Sequence, residues 1–103
     1  MAVFAFSVAP MTAGESVAAQ VAEAVRIVRE SGLPNRTTSM FTEIEGEWDE
    51  VFDVVRRATD AVMPFGSRVS LVLKADIRPG HSGEIDGKIE RLEAALESIR
   101  DTD

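Results

Sequence analysis

The chain has 103 residues, which is room for one domain, and its 45% hydrophobic and 28% charged residues are typical of a folded globular protein. Its formal net charge of −7 argues against nucleic-acid binding, which needs clustered Lys and Arg, and the absence of cysteine excludes disulfides, thiolate catalysis and cysteine-bound metals. The apolar opening has neither the basic start nor the length of a signal or membrane segment, so we expect a cytoplasmic protein.

The first predicted element is a strand over residues 2–9, rich in Val and Phe and ended by Pro10. A helix follows, with Ser16 as its candidate N-cap and Gly32 at the position after its last turn. Valines recur along this helix at the spacing that gives one apolar face. The pattern therefore predicts a strand and a helix that share a core.

Residues 36–45 are β-branched and aromatic but long for one strand. They form either two short strands that fold back near Ser39–Met40 or one bent strand, and the sequence leaves both open. A second helix begins around Glu47–Glu50, where carboxylates meet the positive end of the helix dipole, and Pro64 and Gly66 close it. Its apolar residues recur every three or four positions, which predicts one buried face.

The clearest strand covers residues 68–77, where apolar and polar residues alternate as in a sheet with one face on the core. A loop over residues 78–83 precedes a third, amphipathic helix. Its apolar residues fall at alternating spacings of four and three: Ile85, Ile89, Leu92, Leu96 and Ile99. This helix either packs across its own sheet or joins a neighbouring subunit, and we favour the subunit contact because the two-layer core is complete without it.

The order of elements predicts an α+β fold of the β-α-β-β-α-β plan, a two-layer sandwich with an antiparallel sheet, both helices on one face and an extra C-terminal helix. We expect a single domain over residues 1–103, with residues 83–101 as its helical extension. The other sheet face would be left bare. It would carry a mixture of apolar and polar side chains: Val3, Ala5, Ser7, Glu43, Glu45, Ser70, Val72 and Lys74. Such a face suits a subunit or a ligand, so we expect self-association.

Catalytic chemistry finds little support in the sequence. His81 stands in a glycine-rich loop without the spacing of a triad, and one histidine with scattered carboxylates is a weak metal site. The acidic cluster around Glu43 and Glu45 is either a solvated strand edge with helix-dipole charges or a set of acceptors for a cationic or amino-bearing ligand. Trp48 either packs on the core or stacks on a ligand ring. We therefore expect neither catalytic nor metal-ligating residues.

Three stretches together resemble a known family. They are Ala5-Phe6-Ser7-Val8-Ala9-Pro10-Met11, the run Phe41-Thr42-Glu43-Ile44-Glu45-Gly46-Glu47-Trp48-Asp49-Glu50-Val51, and residues 68–78. The middle run is the most diagnostic. Over residues 2–90 the chain looks like the small thiamine-binding protein family, long catalogued as uncharacterised.

The resemblance implies a ferredoxin-like subunit, assembled as a dimer of dimers, that binds thiamine or its hydroxymethylpyrimidine part without turning it over. Thiamine is then a ligand rather than a cofactor, and no nucleic acid or membrane is involved. The chain departs from the family at Phe41, where the family tends to have Gly, and a ring there would narrow or cover the groove beside Thr42. The stretch Lys74-Ala75-Asp76 and a longer C-terminal helix are further departures.

If thiamine is the ligand, its aminopyrimidine needs a carboxylate or hydroxyl partner and an apolar or aromatic wall, and its thiazolium cation needs a carboxylate or an aromatic face. Six residues offer such groups: Ser7, Thr38, Thr42, Glu43, Glu45 and Trp48. The leading hypothesis is non-catalytic binding as a carrier, buffer or accessory to uptake. The alternative is a structural or regulatory homo-oligomer with no small ligand.

Overall fold

The computed structural model describes residues 2–11 and 18–101. In chain order these contain β1 (Ala2–Pro10), α1 (Ala18–Glu30), β2 (Asn35–Thr37), β3 (Thr42–Gly46), α2 (Trp48–Val62), a short 3-10 helix (Met63–Phe65), β4 (Val69–Ile77) and α3 (Glu84–Asp101). The predicted order is confirmed, and the middle segment folds back as two strands. The candidate N-cap Ser16 lies outside the described residues.

The four strands form one antiparallel sheet in the order β2-β3-β1-β4. β1 is central and pairs with β4 along all nine of its residues, from Ala2 opposite Ile77 to Pro10 opposite Val69. Buried residues of α1 and α2 join the same core as β1. This is the ferredoxin-like arrangement of the α+β class, and the predicted fold is confirmed.

The core lies between the sheet and the two helices that cover it. Its largest fully buried apolar side chains come from both layers: Phe4, Phe6, Ile44, Val28, Val51 and Val62. The sheet's side of the core comes largely from β1, because side chains alternate along a strand and every second residue from Ala2 to Pro10 is buried. Gly46 ends β3 where α2 comes close, since a Cβ there would lie 3.1 Å from a methyl group of Val51.

The opposite sheet face is the one that α1 and α2 leave bare. The strand register places on it the residues that alternate with the core positions: Val3, Ala5, Ser7 and Ala9 of β1, Glu43 and Glu45 of β3, and Ser70, Val72, Lys74 and Asp76 of β4. The predicted composition of this face is confirmed. Within residues 2–11 and 18–101, no helix has the length and apolar character needed to cross a membrane.

A pair of matched substitutions tests the packing. Ile44 is fully buried, whereas Ile77 is 50% exposed at the end of β4. Ile44→Val removes a buried methyl group and is expected to lower the free energy of unfolding by about 0.5–1.5 kcal/mol. Ile77→Val is expected to change it by less than about 0.5 kcal/mol. Urea denaturation measures both, and equal effects would contradict the assigned core.

Candidate functional site

The start of α3 is held on the bare sheet face by the carboxylate of Glu45. This side chain is 1% exposed, and its two oxygens accept hydrogen bonds from the backbone amides of Glu84 at 3.1 Å and Ile85 at 3.4 Å. The amides at a helix N-terminus lack partners within the helix, and the helix dipole makes that end positive. Glu45 therefore acts as a cap supplied by a neighbouring strand, 39 residues earlier in the chain.

Two ion pairs hold the first turns of α3 on either side of this cap. Arg36 of β2 pairs with Asp86, and Lys88 pairs with Asp76 of β4. The hydrogen bond from Lys88 and its positive charge lower the pKa of Asp76 below its usual value. Because β2 and β4 are the two edges of the sheet, the helix start is tied across the sheet's full width.

Glu84 forms a second charged cluster at the same helix start. Its carboxylate lies 2.6 Å from a guanidinium nitrogen of Arg91, 3.9 Å from one of Arg78 and 3.8 Å from Nδ1 of His81. The hydrogen bond from Arg91 lowers the pKa of Glu84 below its usual value, and the nearby positive charges act in the same direction. Glu84 thus connects α3 to the loop that precedes it.

A cavity of about 300 Å³ lies between the bare sheet face and α3, and we name it the sheet–helix pocket. Its volume is at the lower end of the range for small-molecule sites. Strand residues form its floor, the 38–41 turn forms one wall and α3 forms its roof. The lining residues are Val3, Ala5, Thr38, Phe41, Glu43, Lys74, Asp76, Glu84, Ile85, Lys88 and Ile89.

The charges in the pocket divide into partnered and free groups. Asp76 with Lys88, and Glu84 with Arg91, are ion-paired. Among the described residues, by contrast, no side chain pairs with the carboxylate of Glu43 or the ammonium of Lys74. The pocket therefore presents one available acceptor and one available donor.

Strand register fixes the placement of these two groups. Ala5 of β1 lies opposite Glu43 of β3 on one side and opposite Lys74 of β4 on the other. The two charged residues are thus separated by two strand spacings, roughly 10 Å between their backbones. Ala5 fills little of the space between them, which leaves a floor on which a flat ring can lie.

The structure brings two of the six predicted ligand residues together in the sheet–helix pocket, Thr38 and Glu43. Ser7 and Thr42 instead line a second cavity of about 170 Å³ beside α1, which Thr38 also borders. Thr42 lies opposite Phe6 and is buried toward the core. Glu45 borders the pocket's helix start, but both of its oxygens are occupied by α3. Ligand binding by these residues stays a prediction.

Trp48 lies on the other side of the sheet, away from the sheet–helix pocket. Its ring meets Phe4 and Phe52 edge to face, with centroids 5.2 Å from each. Such aromatic pairs contribute about 0.5–1.5 kcal/mol beyond the area that they bury. Trp48 therefore packs against the core residue Phe4 while staying 45% exposed, and Phe41, not Trp48, lies in the pocket lining with Glu43.

Sequence reasoning missed the part of the pocket that α3 and β4 provide. It places Lys74 on the bare face but not in a site, leaves Asp76 out of both, and treats Ile85 and Ile89 only as part of an apolar stripe. One sequence signal could have found this part of the pocket, because alternation places Lys74 on the same sheet face as Glu43.

Among the described residues, no three His, Asp or Glu side chains are grouped to hold a metal ion.

Comparison with known proteins identifies relatives over most of the chain. The family described as "Thiamine-binding protein" matches residues 4–93. The UPF0045 protein Mb1933 of Mycobacterium bovis is 50% identical over 93 residues, which cover 89% of this chain and 91% of that protein.

Two solved structures share the fold. Protein MJ1052 of Methanocaldococcus jannaschii has a TM-score of 0.83 and 28% sequence identity, covering 89% of this chain and 95% of that one. The DUF77 domain from Bacillus cereus has a TM-score of 0.75 and 34% identity, covering 85% and 86% of the two chains. The similarity therefore extends over nearly the whole chain.

Glu45→Gln tests the cap. The amide side chain keeps one oxygen but loses the charge and one acceptor, so the variant is expected to lose about 0.5–2 kcal/mol of stability. Amide hydrogen exchange at residues 84–88 should rise, because the first turn of α3 opens more often. Glu43→Gln, on the same strand and face, is the control and should leave exchange unchanged. Equal exchange in both variants would contradict the capping role.

The pKa shifts of Glu84 and Asp76 predict a loss of stability in acid. Both folded-state pKa values lie below the unfolded values of about 4.3 and 3.9, so the stabilisation is complete above those values and is lost as pH falls through the folded pKa. The stability difference between the wild type and Glu84→Gln should therefore shrink as the pH falls below about 4.3, the unfolded-state value for Glu. Urea denaturation at several pH values measures it, with the exposed Glu93→Gln as a control that should show no such trend.

Proposed function

The chain belongs to the thiamine-binding protein family, and on that premise we propose that it binds thiamine or its hydroxymethylpyrimidine part in the sheet–helix pocket without turning it over. The observation that carries the proposal is the row of Glu43, Ala5 and Lys74 across three strands. The aminopyrimidine of thiamine has an amino donor on one side of its ring, one ring-nitrogen acceptor beside it and a second ring-nitrogen acceptor across the ring. A free carboxylate and a free ammonium on opposite walls complement that pattern.

The remaining walls supply the apolar surface that such a ring requires. Phe41 contributes an aromatic ring, Val3 and Ala5 the floor, and Ile85 and Ile89 the roof. Predominantly apolar lining with a few polar groups is the usual composition of small-molecule sites. Phe41 stands where the family tends to have Gly, so here the turn itself closes one side of the pocket.

The carboxylate of Glu43 can also hold a cationic group. The lining contains three carboxylates, on Glu43, Asp76 and Glu84, but Asp76 is paired with Lys88 and Glu84 with Arg91. A thiazolium that enters beside Glu43 would therefore meet the one lining carboxylate that no described side chain neutralises. Charge and shape hold such a ligand, and no covalent step is required. We therefore assign the protein a role as a cytoplasmic carrier, buffer or accessory to uptake.

A structural or regulatory homo-oligomer with no small ligand is the second candidate. It is favoured by large apolar side chains that are exposed on β4 and α3, among them Leu71, Val72, Leu92 and Leu96. The resemblance to the family implies a dimer of dimers, and we propose that the protein self-associates in either case. The two candidates differ in whether the sheet–helix pocket is occupied.

Glu43→Gln tests the ligand site. Titration calorimetry with thiamine and, separately, with hydroxymethylpyrimidine should show binding by the wild type. Loss of the Glu43 charge should weaken it by about 1.5–3 kcal/mol, roughly 10- to 150-fold, because charge-assisted hydrogen bonds contribute that much. Glu50→Gln removes the same charge from α2, on the other side of the sheet, and should bind as the wild type does.

Each outcome of this titration has a definite meaning. No heat with either compound at millimolar concentration would reject thiamine binding and leave the second candidate. Binding that is equal in the wild type and Glu43→Gln would place the ligand outside the sheet–helix pocket.

A further inference from the structure

Three basic side chains converge on the start of α3, at the border of the sheet–helix pocket. Arg78 directly follows β4, His81 lies in the loop before α3, and Arg91 lies two turns after Glu84. We name Arg78, His81 and Arg91 the basic cluster. All three approach the carboxylate of Glu84, at 3.9, 3.8 and 2.6 Å respectively. Glu84 lines the pocket, so the basic cluster stands just outside the lining.

The basic cluster has more hydrogen-bond donors than Glu84 uses. Arg91 donates a hydrogen bond to this carboxylate, whereas the contacts of Arg78 and His81 are too long to be hydrogen bonds. Within residues 2–11 and 18–101, neither of these two side chains pairs with another carboxylate. A guanidinium has five N–H donors and an imidazole has at least one. The donors of Arg78 and His81 are therefore available to an acceptor that enters from solvent.

The second carboxylate nearby, on Asp76, does not balance this charge. The hydrogen bond and the charge of Lys88 lower its pKa, and the charges of Arg78 and Arg91 act in the same direction. Asp76 is thus already paired with Lys88 while both arginines lie close to it. With Asp76 and Glu84 ionised, the two arginines and the lysine still leave a surplus of positive charge at this end of the pocket.

This surplus contrasts with the charge of the whole chain. The chain has 18 acidic residues against 11 basic ones and a net charge of −7. Both of its lysines and its only histidine nevertheless lie between residues 74 and 91. Because a predominantly negative surface repels anions, a local positive region at the mouth of a pocket determines where an anionic group can approach.

The basic cluster lies close to the free carboxylate of Glu43. Glu43 and Glu45 are two residues apart on β3, which is roughly 7 Å. The carboxylate of Glu45 accepts a hydrogen bond from the backbone amide of Glu84 at 3.1 Å. The cluster around Glu84 is therefore about one row of the sheet away from Glu43. A ligand that carries a cation and an anion on one short arm can reach both sites.

We propose that the basic cluster binds the phosphate of a phosphate ester whose rings occupy the sheet–helix pocket, and that thiamine monophosphate is consequently preferred to thiamine. The inference rests on the proposed function for the placement of the rings. The thiazolium of thiamine carries a hydroxyethyl arm, and the phosphate is attached to the oxygen of that arm. With the thiazolium beside Glu43, the phosphate meets Arg78 and His81. A guanidinium suits this group because its planar set of N–H donors matches two phosphate oxygens.

Glu84 has an opposing effect in this arrangement. Its carboxylate holds Arg91 and repels a phosphate that approaches the same cations. Glu84→Gln removes that negative charge and releases Arg91 from its ion pair. The phosphate therefore gains affinity in this variant, whereas a substitution that removes a cation of the cluster lowers the affinity.

Titration calorimetry with thiamine and with thiamine monophosphate tests the cation. The wild type should bind the monophosphate about 10-fold or more tightly, the effect of one charge-assisted hydrogen bond. Arg78→Gln should reduce the ratio of the two affinities by about 10-fold. Arg100→Gln removes the same charge from the last turn of α3 and should leave the ratio unchanged. Equal ratios in Arg78→Gln and Arg100→Gln would overturn the proposal.

Glu84→Gln supplies a test of opposite sign. It should raise the ratio of monophosphate to thiamine affinity several-fold, whereas Arg78→Gln lowers it. A purely structural role for the two residues would weaken both ligands alike and leave the ratio unchanged in both variants. Added sodium chloride should also lower the wild-type ratio, because salt screens exposed charges. A ratio that falls in Glu84→Gln as it does in Arg78→Gln would refute the assigned roles.

Inorganic phosphate separates the basic cluster from the pocket. It should bind far more weakly than thiamine monophosphate because it lacks the rings, and equal affinity would overturn the joint site. A wild type that binds thiamine as tightly as its monophosphate would reject this inference and leave the proposed function intact. Binding of the monophosphate alone, weakened in Arg78→Gln, would support the basic cluster and reject unesterified thiamine as the ligand. A wild type that binds none of the three compounds would reject both proposals.

Discussion

The buried carboxylate of Glu45 is the group on which the rest of this structure depends. A charge removed from water is strongly destabilising unless hydrogen bonds and an opposite charge compensate it. Here two backbone amides supply the bonds and the positive end of α3 supplies the charge. The helix is consequently fixed over β3, and a sheet face that α1 and α2 leave open acquires a roof. The sheet–helix pocket exists because of that roof.

Glu43 and Glu45 show how the environment distinguishes two identical side chains on one strand face. They are two residues apart, and both lie opposite small or medium apolar residues of β1, namely Ala5 and Val3. Glu45 lies at the first turn of α3, and each of its oxygens accepts a hydrogen bond from a backbone amide of that turn. Glu43 lies one row further along, in the lining of the sheet–helix pocket, and no described side chain pairs with its carboxylate. Glu45, which caps a helix, and Glu43, a candidate ligand-binding residue, therefore differ in which part of the chain lies over them.

The sequence predicted the layers of this fold well, because alternation in β1 and β4 and the three-to-four spacing in α2 are strong, local signals. It also predicted that Glu43 and Glu45 share the bare face. It did not predict the position of α3. An amphipathic stripe shows that a helix needs an apolar partner but not which surface provides it, and the deciding contact joins residues 45 and 84, far apart in the chain. Phe41 was predicted to narrow or cover the groove beside Thr42, but its place in the wall of the sheet–helix pocket depends on α3, which lies opposite.

α3 contributes both to the sheet–helix pocket and to an exposed apolar stripe, and this dual use has a thermodynamic consequence. Its first turns roof the pocket, and its later turns carry the exposed stripe. If self-association through this stripe orders the helix, a ligand beneath the helix meets a roof that is already in place. Linkage is reciprocal, so a ligand that binds more tightly to the oligomer must strengthen the association by the same factor. In this two-layer domain, one helix thus links the proposed ligand pocket to the surface that is available for self-association.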